Sequence, residues 1–317
     1  MEEKSEKNIV ITDSGFGGLS VLAAVYENLR HEKFPLHLSF AEALPKNCPG
    51  YPWQGYSLMP DRKTKVKVFH NFLTGLEKHF RPDRIALVCN TLSAIVQETD
   101  YYARNREKII NIIDTGLEEC SRLEIEDRAC IIILGTQTTV SSDIHRRGLA
   151  EKGIFPHDRI LPIAFAPEDH YPLRIETEPE SAGTWDISQK TLEKAFPFIP
   201  DSSTPVYVYL GCTHFGFVQH HYIRILQKAG FGNVKIINPN QAMTEKLTTE
   251  IRKIYAGQNR ENSLVSNGIR TEIYSQFLLS PEQISSGAAL IAGISPTVSR
   301  KLKEYIFKND ITEKWEE

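Results

Sequence analysis

Three stretches of this sequence end an apolar, β-rich run on residues that can move protons. Val206-Tyr-Val-Tyr-Leu210 is followed by Gly211 and then by a thiol, a hydroxyl and an imidazole at Cys212, Thr213 and His214. Ile9-Val-Ile-Thr12 leads into Asp13 and Ser14, and Ile85-Ala-Leu-Val88 into Cys89, Asn90 and Thr91. If the three strands share one crevice, two thiols face each other across it, each with a polar neighbour. Two thiols on opposite sides of a bound carbon suit stereoinversion, in which one thiolate removes a proton and the other thiol delivers one to the opposite face. A Cys-His nucleophile of the protease or amidase kind would use one thiol and leave the other idle. Two cysteines and one histidine are too few for a structural zinc site, and Cys-x-His on a turn is not the usual ligand spacing. No lysine motif for a Schiff base is evident, so neither pyridoxal phosphate nor metal is expected.

The elements that must hold these residues follow from periodicity. Val206 to Leu210 reads as a buried strand, and the apolar positions from Phe215 to Ala229 recur at helical spacing. Cys212, Thr213 and His214 therefore sit in a strand-to-helix turn, the edge of an open α/β sheet where ligands bind. The same layout is expected at Asp13, before a helix over Leu19 to Leu29, and at Cys89, before a helix running from Thr91 to Asn105. A thiol at a helix N-terminus should ionise more readily than a free one, although an isolated cysteine is more often a packing residue. Gly15, Gly17 and Gly18 read either as a loop that brings backbone amides to a ligand or as a tight turn with none; Gly-x-Gly-Gly lacks the Walker lysine and the full dinucleotide spacing. A fourth such turn, Gly135 to Ser142, is rich in hydroxyls, which either bind a carboxylate or cap a helix.

Further strands are expected at Leu36 to Phe40, Ile109 to Ile113, Ala129 to Leu134, Arg159 to Phe165, Val234 to Ile237 and Arg270 to Leu278. Helices are expected over Asp61 to Phe80, from the turn Asp114-Thr115-Gly116 to about Leu123, and over Ile187 to Phe196, Ala242 to Tyr255, Pro281 to Ile291 and Thr297 to Phe307. Ala41 to Pro60, broken by proline and glycine, reads as a long loop whose Tyr51, Trp53, Gln54 and Tyr56 either close over a small ligand or pack on the surface. Pro167 to Pro205 reads as irregular around one helix.

The 317 residues, 41% of them hydrophobic, suffice for about two domains. A net charge of −3 and an isoelectric point near 6.4 give no footprint for nucleic acid. Five cysteines without a C-x-x-C pair fit reduced thiols in the cytoplasm. Met1 to Asn8 is polar, reading as a frayed tail rather than a signal peptide, and no run reaches the ~20 apolar residues of a membrane span.

Thr12-Asp-Ser-Gly-Phe-Gly-Gly-Leu19, Cys89-Asn-Thr-Leu-Ser-Ala94, Leu134-Gly-Thr-Gln-Thr-Thr-Val-Ser141 and Leu210-Gly-Cys-Thr-His214 resemble, in order, the four motifs of the cofactor-independent aspartate/glutamate racemases, those of glutamate racemases most closely. The resemblance covers about residues 9 to 300. It implies an α/β fold of two pseudo-symmetric domains with mainly parallel sheets and the site between them. It implies Cys89 and Cys212 as paired acid/base thiols, with Asp13 and His214 as their helpers. Ser14, Asn90, Thr91, Thr136, Thr139 and Thr213 would bind the carboxylate and amine of a small acidic amino acid, glutamate first. Other members of the superfamily (aspartate or hydantoin racemases, maleate-isomerase-like enzymes) and a catalytically degenerate binding protein are the alternatives. The implied setting is cytoplasmic and connected with peptidoglycan synthesis. The implied partners are the amino-acid substrate and, in a homodimer, a second copy of the chain, with neither nucleic acid nor membrane.

The expected division is 1–112 plus 224–317 for the first domain and 113–223 for the second. Two features depart from the family pattern. No Pro-Tyr-Gly follows the second strand, Pro52-Trp53-Gln54-Gly55 being the nearest match, so the segment Phe40 to Tyr56 is expected to set the substrate range. A family glutamate near the end of the second domain finds its counterpart at Glu168.

Overall fold

The computed structural model describes residues 6–33, 35–44, 55–256 and 268–312. Its strands are β1 (Lys7–Asp13), β2 (Leu36–Glu42), β3 (Arg84–Leu87), β4 (Ile109–Asn111), β5 (Cys130–Gly135), β6 (Ile160–Ala164), β7 (Val206–Gly211), β8 (Val234–Ile237), β9 (Arg270–Ser275) and β10 (Ile306–Phe307). They form a six-stranded sheet in the order β10-β9-β2-β1-β3-β4 and a four-stranded sheet in the order β6-β5-β7-β8. Every pairing is parallel, as expected where each strand feeds a helical crossover. The expected α/β class with two mainly parallel sheets is thus the observed architecture.

Alternation along the strands sorts the core into layers. Ile9 and Ile11 of β1, Ile131 and Ile133 of β5, and Tyr207 and Tyr209 of β7 point into one shared core with the helices Leu19–Leu29, Ile112–Cys120 and Pro239–Ala256. Val10, Ile85 and Leu87 face outward onto the helix Arg62–Phe80. Cys130, Ile132, Val206 and Val208 face outward onto the helices Tyr171–Thr177 and Gln219–Lys228. A chain that continues from β1 to β2 on one side and returns to β3 on the other leaves a crevice between β1 and β3, and β5, β6 and β7 repeat this in the second sheet. Asp13 and Cys89 flank the first crevice; Gly135 and Cys212 flank the second.

Several boundaries differ from the sequence reading. Lys7 and Asn8 belong to β1 rather than to the expected tail: the Lys7 ammonium pairs with Asp83 at 2.9 Å, and the Asn8 amide donates to the Phe80 carbonyl. The helix expected from Thr91 to Asn105 is broken into Asn90–Ser93, a 3-10 turn at Val96–Glu98, and Asp100–Asn105, because extended Thr99 caps the last piece by accepting from Tyr102 N at 3.1 Å. The strand from Ile109 stops at Asn111, whose side chain accepts from Ile113 N at 2.8 Å and starts the next helix. Pro167 to Pro205 holds two helices, Tyr171–Thr177 and Ala182–Leu192, rather than one at Ile187 to Phe196. The last helix ends at Lys303, and Ile306–Phe307 is an edge strand. β8 pairs with β7 and extends the second sheet to Ile237. No described helix is long and apolar enough to cross a membrane.

Candidate active site

One pocket collects the strand ends of both sheets. It is lined by Asp13, Ser14, Cys89, Asn90 and Thr91 from the first sheet and by Thr136, Cys212, Thr213 and His214 from the second. Of the site residues expected from sequence, Thr139 alone stands outside this lining. It is buried behind the others, its hydroxyl 3.0 Å from that of Thr136 and 3.2 Å from that of Thr91. With Thr91 and Thr136 also 3.0 Å apart, the three hydroxyls form a bridge between the two sheets.

The two thiols have different surroundings. Cys89 is buried, and the group against its sulfur is the Ser14 hydroxyl at 3.2 Å. Asp13 instead reaches across the pocket floor: its Oδ2 accepts from the Thr213 hydroxyl at 2.8 Å, and its Oδ1 accepts from Ser14 N at 2.7 Å. Burial, and after it the charge of Asp13, pushes the Cys89 thiol well above its ordinary value, against hydrogen bonds from Ser14 and the backbone. The expectation of an acidified thiol at a helix start is therefore overturned. The helix Cys89 caps is four residues long, too short to offset the lost hydration.

Cys212 is half-buried, with His214 Nδ1 3.6 Å from its sulfur. On the far side of that ring, His214 Nε2 donates to Glu176 Oε1 at 2.6 Å, both side chains being 7% exposed. Phe16 N donates to the same oxygen at 3.3 Å. Burial disfavours the imidazolium, but the hydrogen bonds and charges of Cys212 and Glu176 outweigh it and raise His214 well above its usual value. Cys212, His214 and Glu176 thus form a hydrogen-bonded chain along the pocket lining. Glu176 lines the pocket, whereas Glu168 lies on the 3-10 turn Pro167–Asp169, outside the pocket lining.

His145 is a second residue the sequence reading missed. Burial lowers its imidazole to about 4, so it is neutral, and its Nε2–H donates to Asn90 Oδ1 at 3.1 Å. This fixes the amide of Asn90 and leaves Nδ2 as a buried donor with no partner among the described residues, at the pocket wall. Such a donor is costly to bury unless something fills it, and a carboxylate oxygen would.

The glycines of the first turn answer to space. A Cβ on Gly17 would fall 2.3 Å from Thr213 Oγ1 and 2.7 Å from His214 Nδ1, and one on Gly18 2.5 Å from Val88 Cγ2, whereas Gly15 has ordinary clearance. Gly17→Ala should therefore cost about 1–3 kcal/mol through overpacking, seen as a lower midpoint in urea unfolding, while Gly15→Ala should unfold near the wild-type midpoint. Equal midpoints for all three proteins would contradict this packing.

Of the expected substrate-range segment, Pro45 to Gln54 lies outside the described residues, Trp53 among them; its far end, Gly55 and Tyr56, lines the pocket.

No family model matches the chain. A glutamate racemase of a Nitratiruptor species is 25% identical over 259 residues, 79% of this chain and 91% of its own length. That of Campylobacter jejuni is 25% identical over 239 residues, 75% of this chain and 84% of its own. Among solved structures, glutamate racemase from Francisella tularensis in complex with D-glutamate superposes with a TM-score of 0.66 at 17% identity, covering 90% of this chain and 93% of the other. The Campylobacter jejuni structure gives 0.60 at 23% identity, covering 89% and 98%.

Proposed function

We propose, from the premise that this chain belongs to the aspartate/glutamate racemase family and is an amino-acid racemase, that it inverts the α-carbon of a small acidic amino acid, glutamate first, by passing a proton between Cys89 and Cys212. The observation that carries the reading is the placement of these two thiols, one from each sheet, in a single pocket. In one direction the Cys212 thiolate, facing the His214 imidazolium, takes the α-proton and the Cys89 thiol protonates the opposite face. In the other direction the roles exchange. A neutral Cys89 is suited to be the acid in the empty enzyme, because burial and Asp13 both hold its proton.

Substrate binding follows from the donors that remain. No lysine or arginine lines the pocket among the described residues, so the carboxylates are held by Asn90 Nδ2 and by the hydroxyls of Ser14, Thr91 and Thr136, with Thr139 ordering that group from behind and the Thr213 hydroxyl given to Asp13. The carboxylates of Asp13 and Glu176 favour the substrate ammonium. Gly55 and Tyr56 at the pocket wall support a role for the segment Phe40 to Tyr56 in selecting the side chain.

A circular-dichroism scan of enantiopure D- and L-amino acids with purified protein and no added pyridoxal phosphate tests the reading. The signal of glutamate or aspartate should decay to zero from either enantiomer, and neutral amino acids should persist. Retention of every acidic enantiomer would overturn it.

A further inference from the structure

Outside the pocket, Glu180, His220 and His221 bring one ligand atom each within 4.8 Å of one another, the one such metal-competent group among the described residues. His220 Nε2 lies 3.2 Å, and His221 Nε2 3.6 Å, from Glu180 Oε2. Ligands bound tetrahedrally at ~2.0–2.1 Å stand about 3.3–3.4 Å from each other, so two edges of the polyhedron are already in place. The three side chains grade from exposed Glu180 through half-exposed His220 to buried His221, which leaves the outer side open to water. His221 is held edge-on against Trp185, with ring centroids 5.2 Å apart, and against His220 at 4.5 Å. As an ordinary surface contact between a carboxylate and two histidines, this arrangement would contribute little.

We propose that Glu180, His220 and His221 bind a divalent transition-metal ion, zinc by the chemistry of two imidazoles and a carboxylate, with water completing the shell. Glu180 stands in the turn after the helix Tyr171–Thr177, which carries Glu176, and the two histidines open the helix Gln219–Lys228, which follows the turn carrying His214. The ion therefore clamps the same two segments that the Glu176–His214 hydrogen bond joins inside the protein. Nδ1 of His221 has no partner among the described residues. Without that second-shell acceptor, affinity should fall about 10–100-fold below a fully supported site of this kind.

The test is calorimetric titration of tag-free protein with zinc chloride, read alongside tryptophan emission and thermal unfolding. Because Cys89 and Cys212 are themselves zinc ligands by type, the titration is repeated on the Cys89→Ser/Cys212→Ser protein. One ion per chain should bind in that background, raise the unfolding temperature and change the emission. Adding Glu180→Gln or His220→Gln, both surface changes, should weaken binding at least tenfold and abolish the thermal shift. Absence of zinc binding in the Cys89→Ser/Cys212→Ser background, or binding there that survives both surface substitutions, would overturn the proposal.

Discussion

Cys89→Ser and Cys212→Ser should each lose racemisation in both directions by roughly 10²–10⁴-fold or more, the range for removing a group that transfers a proton in the transition state. An alcohol parts with its proton far less readily than a thiol of ordinary pKa ~8.5, and a full inversion needs a competent group on both faces. The two variants should nevertheless differ in deuterated water. Each keeps one thiol, which still exchanges the α-proton of the enantiomer whose hydrogen points at it. Cys89→Ser should exchange one enantiomer only, through Cys212, and Cys212→Ser the opposite one, through Cys89. The double variant should exchange neither. Loss of the α-proton signal in NMR on each pure enantiomer is the measurement. A Cys89→Ser protein that racemises at near the wild-type rate would mean a one-base mechanism.

The thiols and their neighbours could be read from the sequence because each ends a run whose apolar pattern stops abruptly, and parallel α/β sheets place such ends on one edge. Glu176 could not be read the same way. Its helix opens with Tyr171-Pro172 in a stretch crowded with proline, and proline at the start of a helix is easily mistaken for a breaker. The signal was present in the burial period: Tyr171, Ile175 and Glu176 share the inward face, so a carboxylate occupies a position where an apolar residue is the default. His145 is the same case, sharing the buried face of the helix Ile144–Glu151 with Leu149. A titratable group on an apolar stripe is informative only once the helix is known to exist, and that knowledge came from three dimensions. The character of Cys89 escaped for a related reason: burial and the charge of Asp13 are tertiary effects, and they reverse the local influence of a one-turn helix.

Glu176→Gln should lower kcat/KM by about 10–100-fold, because a hydrogen bond to a charged group contributes ~1.5–3 kcal/mol and each 1.36 kcal/mol is a factor of ten. The Glu176 carboxylate helps keep the buried His214 protonated above the ordinary histidine value of 6.5. An amide of nearly the same shape accepts one hydrogen bond but supplies no charge, so burial then dominates and the imidazole loses its proton at lower pH. The alkaline limb of the activity profile should shift to lower pH in this variant, which a merely structural role would not produce. Stability carries the same sign. A histidine whose folded pKa is raised contributes stability that is full below its unfolded value of ~6.5 and is lost as pH rises through the folded value. The wild-type advantage over Glu176→Gln in urea unfolding should therefore be largest in mildly acidic solution and shrink on the alkaline side. Glu168→Gln, on the 3-10 turn outside the pocket lining, should leave both profiles unchanged and serves as the internal control. Superimposable pH profiles for wild type and Glu176→Gln would show that the contact at 2.6 Å only positions His214.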